Sequence, residues 1–94
     1  MAAYIIANID VTDPDLYEDY KRQVPPTLAG YDAEFLTRGG AMEVLEGEAY
    51  PRVVIIRFAN VDDAREWYNS AAYQTAKAIR NRASTGNLLL VEGN

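Results

Sequence analysis

The feature that most constrains the fold is the run Arg52–Phe58, which predicts a β-strand with apolar side chains on both faces. Because side chains alternate along a strand, Val53, Ile55 and Arg57 share one face, Val54, Ile56 and Phe58 share the other, and both faces are mostly apolar. An antiparallel sheet with one hydrated face alternates between apolar and polar residues instead. The run therefore predicts a sheet that is covered on both sides.

The rest of the chain predicts further strands and two helical segments. One helix begins at the cap Asp13 and is broken or kinked at Pro25-Pro26, because proline lacks the N–H donor that a helix needs. The other begins at Asn60, jogs at Asn69-Ser70 and is stopped by Gly86. The remaining predicted strands are Tyr4–Val11, Ala33–Arg38, Met42–Glu46 and Leu88–Val91.

Gly39-Gly40 lies between two of these runs and predicts a β-hairpin with a tight turn that joins Ala33–Arg38 to Met42–Glu46. It also places Arg38 beside two residues without Cβ atoms, where a ligand could approach the backbone closely.

The order of elements predicts an α+β fold of the ferredoxin-like type, β-α-β-β-α-β, in one domain over residues 1–94. Its two helices lie on one face of a four-stranded antiparallel sheet. The other face would be an exposed apolar patch, which is typical of a protein interface. We therefore expect a symmetric homodimer that packs sheet against sheet.

The composition excludes several classes of function. A net charge of −5 disfavours nucleic acid and membrane surfaces as partners. With no cysteine and no histidine, the chain lacks disulfides, thiolate metal sites, imidazole bases and the usual haem ligand. No carboxylate spacing matches a metal site, and no phosphate-binding glycine loop is present. We expect no metal and no cofactor, and, without a signal sequence or an apolar span, a cytoplasmic protein.

Several motifs, taken in order, resemble a known family over nearly the whole chain. They are Val11-Thr12-Asp13-Pro14, Phe35-Leu36-Thr37-Arg38-Gly39-Gly40, Val44-Leu45-Glu46-Gly47, Pro51–Phe58, Trp67-Tyr68-Asn69-Ser70 and Val91-Glu92-Gly93. They are similar to the small bacterial proteins of the domain-of-unknown-function 1330 family, in the dimeric α/β-barrel superfamily. The resemblance implies the fold and the dimer, but no activity. The wider superfamily includes cofactor-free monooxygenases, lactone isomerases, polyketide cyclases and haem enzymes, so fold alone does not decide function.

A cavity between sheet and helices is the natural ligand site in such a fold. Arg38 could hold a carboxylate or an enolate there, or it could instead form a salt bridge to Glu46 or Asp10 that fixes the hairpin. Asp10 could act as a base if burial raised its pKa, or it could be a turn residue before the helix.

Aromatic side chains on the helices form the second group of candidates, either as pocket walls with hydroxyls that orient a substrate or as core residues. They are Tyr17, Tyr20, Trp67, Tyr68 and Tyr73. Three functions stay open from the sequence: a cofactor-free enzyme on a small planar or keto-acid-like molecule, a small-molecule binding module without turnover, and a structural dimer without a ligand.

Overall fold

The computed structural model describes all of residues 1–94, which form four strands and three helices. The elements in chain order are β1 (Ala3–Val11), α1 (Pro14–Thr27), β2 (Ala33–Arg38), β3 (Arg52–Phe58), α2 (Val61–Asn69), α3 (Ala71–Ala83) and β4 (Ser84–Glu92). The strands form one antiparallel sheet in the order β2-β3-β1-β4. The predicted ferredoxin-like fold is confirmed, with its second helix divided into α2 and α3.

Side-chain caps set the three helix starts, as the sequence predicts. Asp13 accepts a hydrogen bond from the Leu16 amide at 3.1 Å, which satisfies a donor that the first turn of α1 leaves free. Asn60 caps α2 in the same way, with its Oδ1 2.8 Å from the Asp63 nitrogen. Ser70 ends α2 and caps α3, which produces the predicted jog.

The predicted hairpin at Gly39-Gly40 is wrong. Residues 42–46 form no strand, and residues 39–51 are an exposed loop between β2 and β3. β2 pairs with β3 instead, and this pairing continues to Gly39, whose N–H donates to the Val53 carbonyl at 2.9 Å. The glycine pair therefore ends a strand that is paired with β3 and does not turn the chain back. Lengthening a loop costs little chain entropy, so this longer connection is tolerated. Asn8 holds its far end by hydrogen bonds to the backbone N–H and carbonyl of Tyr50.

Two predicted helix ends also need correction. α1 runs through Pro25-Pro26 to Thr27, because the donors that the prolines lack belong to the last turn only. α3 ends at Ala83 rather than at Gly86, which lies within β4 opposite Ile9. A Cβ at position 86 would lie 2.2 Å from the Asn8 carbonyl oxygen, so glycine permits this close pairing of strands.

The two faces of the sheet have different neighbours. The inner face packs on the helices and holds the core, whose largest fully buried side chains are Trp67, Tyr73, Phe58 and Ile9. The outer face has no layer above it within the chain. Its central row is apolar, with Ile6 between Leu89 and Ile55, and Leu89 is 55% exposed. The alternation predicted for β3 is confirmed, with two apolar faces and one set of helices.

Candidate functional site

A cleft opens between the inner face of the sheet and helices α1 and α3. Its volume is about 450 Å³ when its mouth is included, although the interior of this conformation has room for only a few water molecules. Twelve of its sixteen lining residues are apolar or aromatic. They are Ile5, Ala7, Ile9, Tyr17, Tyr20, Val24, Phe35, Val54, Ile56, Trp67, Tyr73 and Leu88.

The other four lining residues are all cations, and each comes from a different element. Lys21 lies on α1, Arg38 on β2, Arg52 on β3 and Arg80 on α3. No carboxylate lines the cleft, although the chain has 14 acidic and only 9 basic residues. The fold therefore collects positive charge in one apolar cleft of an acidic protein, which is the electrostatic pattern of a site for an anion.

A hydrogen bond that Pro25 makes possible holds Arg38 in place. Pro25 has no N–H, so the Lys21 carbonyl four residues earlier lacks its usual helical donor. Nη2 of Arg38 donates to that carbonyl at 2.7 Å, and the guanidinium lies 4.5 Å from the centre of the Phe35 ring. Arg38 thus makes neither of the salt bridges considered from the sequence, and its remaining donors are free for a ligand.

Arg52 and Tyr17 form a second polar contact in the cleft. Nε of Arg52 donates to the Tyr17 hydroxyl at 3.2 Å. Because that hydroxyl oxygen accepts from Arg52, its own proton is free to be donated to another group. The pair can offer a ligand guanidinium N–H groups from β3 and a phenol O–H from α1.

Tyr20 and Tyr73 join α1 to α3, with their hydroxyl oxygens 2.9 Å apart. Burial, and then the neighbouring Tyr73 hydroxyl, raises the pKa of Tyr20 far above its usual value, so the group is neutral at physiological pH. Burial likewise raises the pKa of Tyr73, against the opposing effect of the positive charge on Arg80. The Tyr73 ring also stacks on Trp67 at 4.0 Å between ring centres.

Arg80 is the most deeply buried cation, at 9% exposure. Its Nε is shielded from solvent and has no hydrogen-bond partner. None of the chain's ion pairs includes it.

The structure brings together five of the candidate residues named from the sequence, and all of them line the cleft: Arg38, Tyr17, Tyr20, Tyr73 and Trp67. Tyr68 lies just behind it, with its ring 5.7 Å from that of Tyr73 and Lys77 over its other side. Asp10 is not brought to the cleft. It pairs with Thr85 in the ladder between β1 and β4, and alternation places it on the outer face with Asn8.

Three cations of the cleft were not predicted, although the sequence carries signals for them. Arg52 lies two residues before Val54 and so shares its inward face. Arg80 follows Tyr73 by seven residues, which places both on one side of a helix. Lys21 follows Tyr17 by four residues for the same reason. Charged side chains are usually expected at exposed positions, but the spacing of these three residues predicts their observed positions better.

Two further features bear on the type of site. No group of three or more carboxylates is arranged to hold a metal ion. None of the helices is both long and apolar enough to cross a membrane.

The fold is that of the ferredoxin-like proteins. The chain matches the family model described as domain of unknown function (DUF1330) over residues 2–94, so it belongs to that family. No curated protein sequence matches it.

Solved structures of similar fold are distant in sequence. RPA0582 of Rhodopseudomonas palustris, a protein of unknown function, is 18% identical with a TM-score of 0.73, over 99% of this chain and 82% of its own. A dimeric ferredoxin-like protein of unknown function from Thermobifida fusca is 19% identical with a TM-score of 0.68, over 99% and 92%. SnoaB of Streptomyces nogalater, a cofactor-independent oxygenase, is 15% identical with a TM-score of 0.70, over 99% and 93%.

Proposed function

We propose that the cleft binds a small, planar, keto-acid-like anion and that the protein converts it without a metal or prosthetic group. The observation that carries this proposal is the charge of the lining: four cations and no carboxylate, among aromatic and apolar walls. An apolar cleft strengthens each charge–ligand contact because water is excluded. The cofactor-independent oxygenase with the same fold supports chemistry of this type.

Each residue has a proposed role that follows from its position in the cleft. Arg38 and Arg52 stabilise negative charge on the ligand, including charge that develops on an enolate oxygen during the reaction. Tyr17 donates its free proton to that oxygen or orients it. The rings of Trp67 and Phe35 hold the plane of the ligand. Because the cleft is narrow, we expect the side chains of its mouth to move when the ligand enters.

Arg38→Ala tests the proposal most directly. Thermal-shift measurements with small aromatic and keto acids should show ligand stabilisation of the wild type, which Arg38→Ala loses while its own melting temperature stays nearly unchanged. Arg22→Ala is the matched control, since Arg22 is exposed on α1 and pairs with Asp19 outside the cleft. A collapse of stability in Arg38→Ala would favour a structural role for this arginine.

Turnover is tested with the acids that bind. Oxygen uptake and NMR of the substrate, in the presence of a chelator, should reveal product formed by the wild type and not by Arg38→Ala. Binding without product would make the protein a binding module, and the absence of any binding would leave a structural dimer.

We also propose that two copies pack outer face to outer face. The support is the exposed apolar row of the sheet and the dimeric proteins of similar fold. Light scattering after size-exclusion chromatography should give twice the chain mass, and a monomer at micromolar concentration would contradict the proposal. The cytoplasmic location and the lack of a cofactor stay predictions from the sequence.

A further inference from the structure

Arg80 differs from the other cations of the cleft because its Nε is buried and has no acceptor within the chain. Lys21 forms an ion pair with a carboxylate one turn earlier, at 3.0 Å. Arg38 donates to a backbone carbonyl, and Arg52 donates to the hydroxyl of Tyr17. Only Arg80 combines a cleft position with a buried nitrogen that has no partner.

Arg80 carries a guanidinium, which differs from the ammonium group of lysine in its response to burial. A guanidinium remains protonated at every physiological pH, unlike a buried lysine, which can become neutral. Its phenol neighbours do not balance it either, because burial raises the pKa of Tyr20 and Tyr73 and keeps both hydroxyls neutral. A buried and unbalanced cation is unfavourable, so the free protein has a strong local demand for an anion.

We propose that Arg80 is the residue that binds the carboxylate of a small planar acid in this cleft. The inference rests on the proposed function and deepens it, since it names the anionic group and the residue that receives it. The planar fork of a guanidinium matches the two oxygens of a carboxylate, so both can be bound at once.

The hydroxyl pair beside Arg80 completes the subsite. Tyr20 and Tyr73 share one hydrogen bond, which uses one of their two protons. The second O–H is free to donate into the cleft and suits the same carboxylate. Around these donors the walls are apolar, so the rest of the ligand is a hydrocarbon or aromatic plane rather than a second charged group.

Benzoate and benzamide are the probes, because they have nearly the same shape and differ in charge. The chain has one tryptophan, and Trp67 stacks on Tyr73 within the lining of the cleft, so its fluorescence reports entry of a ligand. The wild type should bind benzoate more tightly than benzamide. Arg80→Gln should weaken benzoate binding by about ten- to a hundredfold and remove the preference, as expected for loss of a charged hydrogen-bonding group.

Arg82→Gln is the matched control. It removes the same charge two residues further along α3 from an exposed position, so benzoate affinity should stay within about twofold of the wild type. Arg80→Lys keeps the charge without the planar fork and should fall between the two.

A second measurement does not depend on the probe. Without ligand, Arg80→Gln should melt at the same temperature as the wild type or higher, because it removes an unbalanced charge. A lower melting temperature would mean that the protein itself satisfies this charge, and it would overturn the inference.

The outcomes separate this inference from the proposed function. If Arg80→Gln keeps the preference for benzoate while Arg38→Ala loses it, the carboxylate site is not at Arg80 and the proposed function stands. If benzoate and benzamide bind the wild type equally, or neither binds, the proposal of an anion site fails together with the inference.

Discussion

Arg57 and Arg80 lie on opposite sides of the sheet, and only Arg57 has carboxylates beside it. Its Nη2 lies 2.9 Å from Asp32 and its Nε 2.8 Å from Glu34, the residue that faces it across β2 and β3. These two acids raise the pKa of Arg57. Arg80 has no such neighbour and an unpartnered Nε.

The two faces of the sheet differ in the same way as the two arginines. On the outer face, the charge is neutralised by carboxylates of the same chain and the centre of the face is apolar, as in a surface that packs against another protein. On the inner side, three arginines without a carboxylate partner line the cleft, and Lys21 is the one cation there that has such a partner. A charge that serves the fold is paired within it, whereas a charge kept for a ligand is left without an acid.

The largest effect is expected from an acid at the centre of the outer face. Leu89→Asp would place an unpaired charge in the apolar row between the two copies, at a cost of about 3–5 kcal/mol. The dissociation constant of the proposed dimer should therefore rise by about a hundredfold to several thousandfold. Light scattering across a dilution series measures this, and the variant should then be mainly monomeric at micromolar concentration.

Ala72→Asp is the control for this change, because Ala72 is exposed on the helical side in the first turn of α3. It should leave the dimer intact, since an acid at a helix N-terminus in water is tolerated. If both variants stay dimeric, the outer face is not the interface.

The next effect in size concerns the hydroxyl pair of the cleft at alkaline pH. The unfolded chain loses its tyrosine protons near pH 10, whereas buried Tyr20 and Tyr73 keep theirs because their pKa is raised. The unfolded state therefore binds fewer protons above pH 10, and stability falls there by about 1.4 kcal/mol per pH unit for each of the two groups. Urea melts between pH 9 and 11 measure the slope.

Tyr20→Phe removes one of these groups and should reduce the slope by about 1.4 kcal/mol per pH unit, whereas Tyr31, whose pKa is also raised, contributes equally in both proteins. Tyr50→Phe, in the exposed loop, should leave it unchanged. Equal slopes for all three proteins would show that these hydroxyls are not shielded in solution.

The sequence predicted the parts of the fold that repeat along the chain. Alternation in Arg52–Phe58 gave two apolar faces, and the caps Asp13, Asn60 and Ser70 gave the helix starts, because these signals act over a few residues. It failed at Gly39-Gly40, where two runs could pair with β2 and the distant one, Arg52–Phe58, does so. Local turn chemistry cannot report which run pairs.

The site was predictable in part for the same reason. Five residues that line the cleft were identified by residue type: Arg38, Tyr17, Tyr20, Tyr73 and Trp67. The partner of Arg38 was not predictable, since its acceptor is a carbonyl on another element that a proline leaves free. The lack of a hydrogen-bond partner for the Arg80 Nε can likewise be recognised only from the packed structure.

A smaller effect is expected when the Lys21 carbonyl regains a helical N–H donor. Pro25→Ala would allow an N–H to bond with the Lys21 carbonyl, which should stabilise the protein by about 1 kcal/mol. Arg38 would then lose its anchor, so benzoate should bind more weakly although the fold is more stable. Thermal melts and Trp67 fluorescence measure the two parts. Pro26→Ala is the control, because Arg38 makes no hydrogen bond to the Arg22 carbonyl that it would restore.

The smallest expected effect is a difference in melting temperature between a variant of Arg57 and a variant of Arg80. Arg57→Gln breaks exposed ion pairs, so it should lower the melting temperature by no more than about 5 °C. Arg80→Gln, the same substitution in the cleft, should not lower it at all. Measured side by side, the two variants compare a charge that the fold has neutralised with one that it has not. A lower melting temperature in both variants would show that Arg80 has a counterion within the protein. The two faces of the sheet would then not differ in this respect.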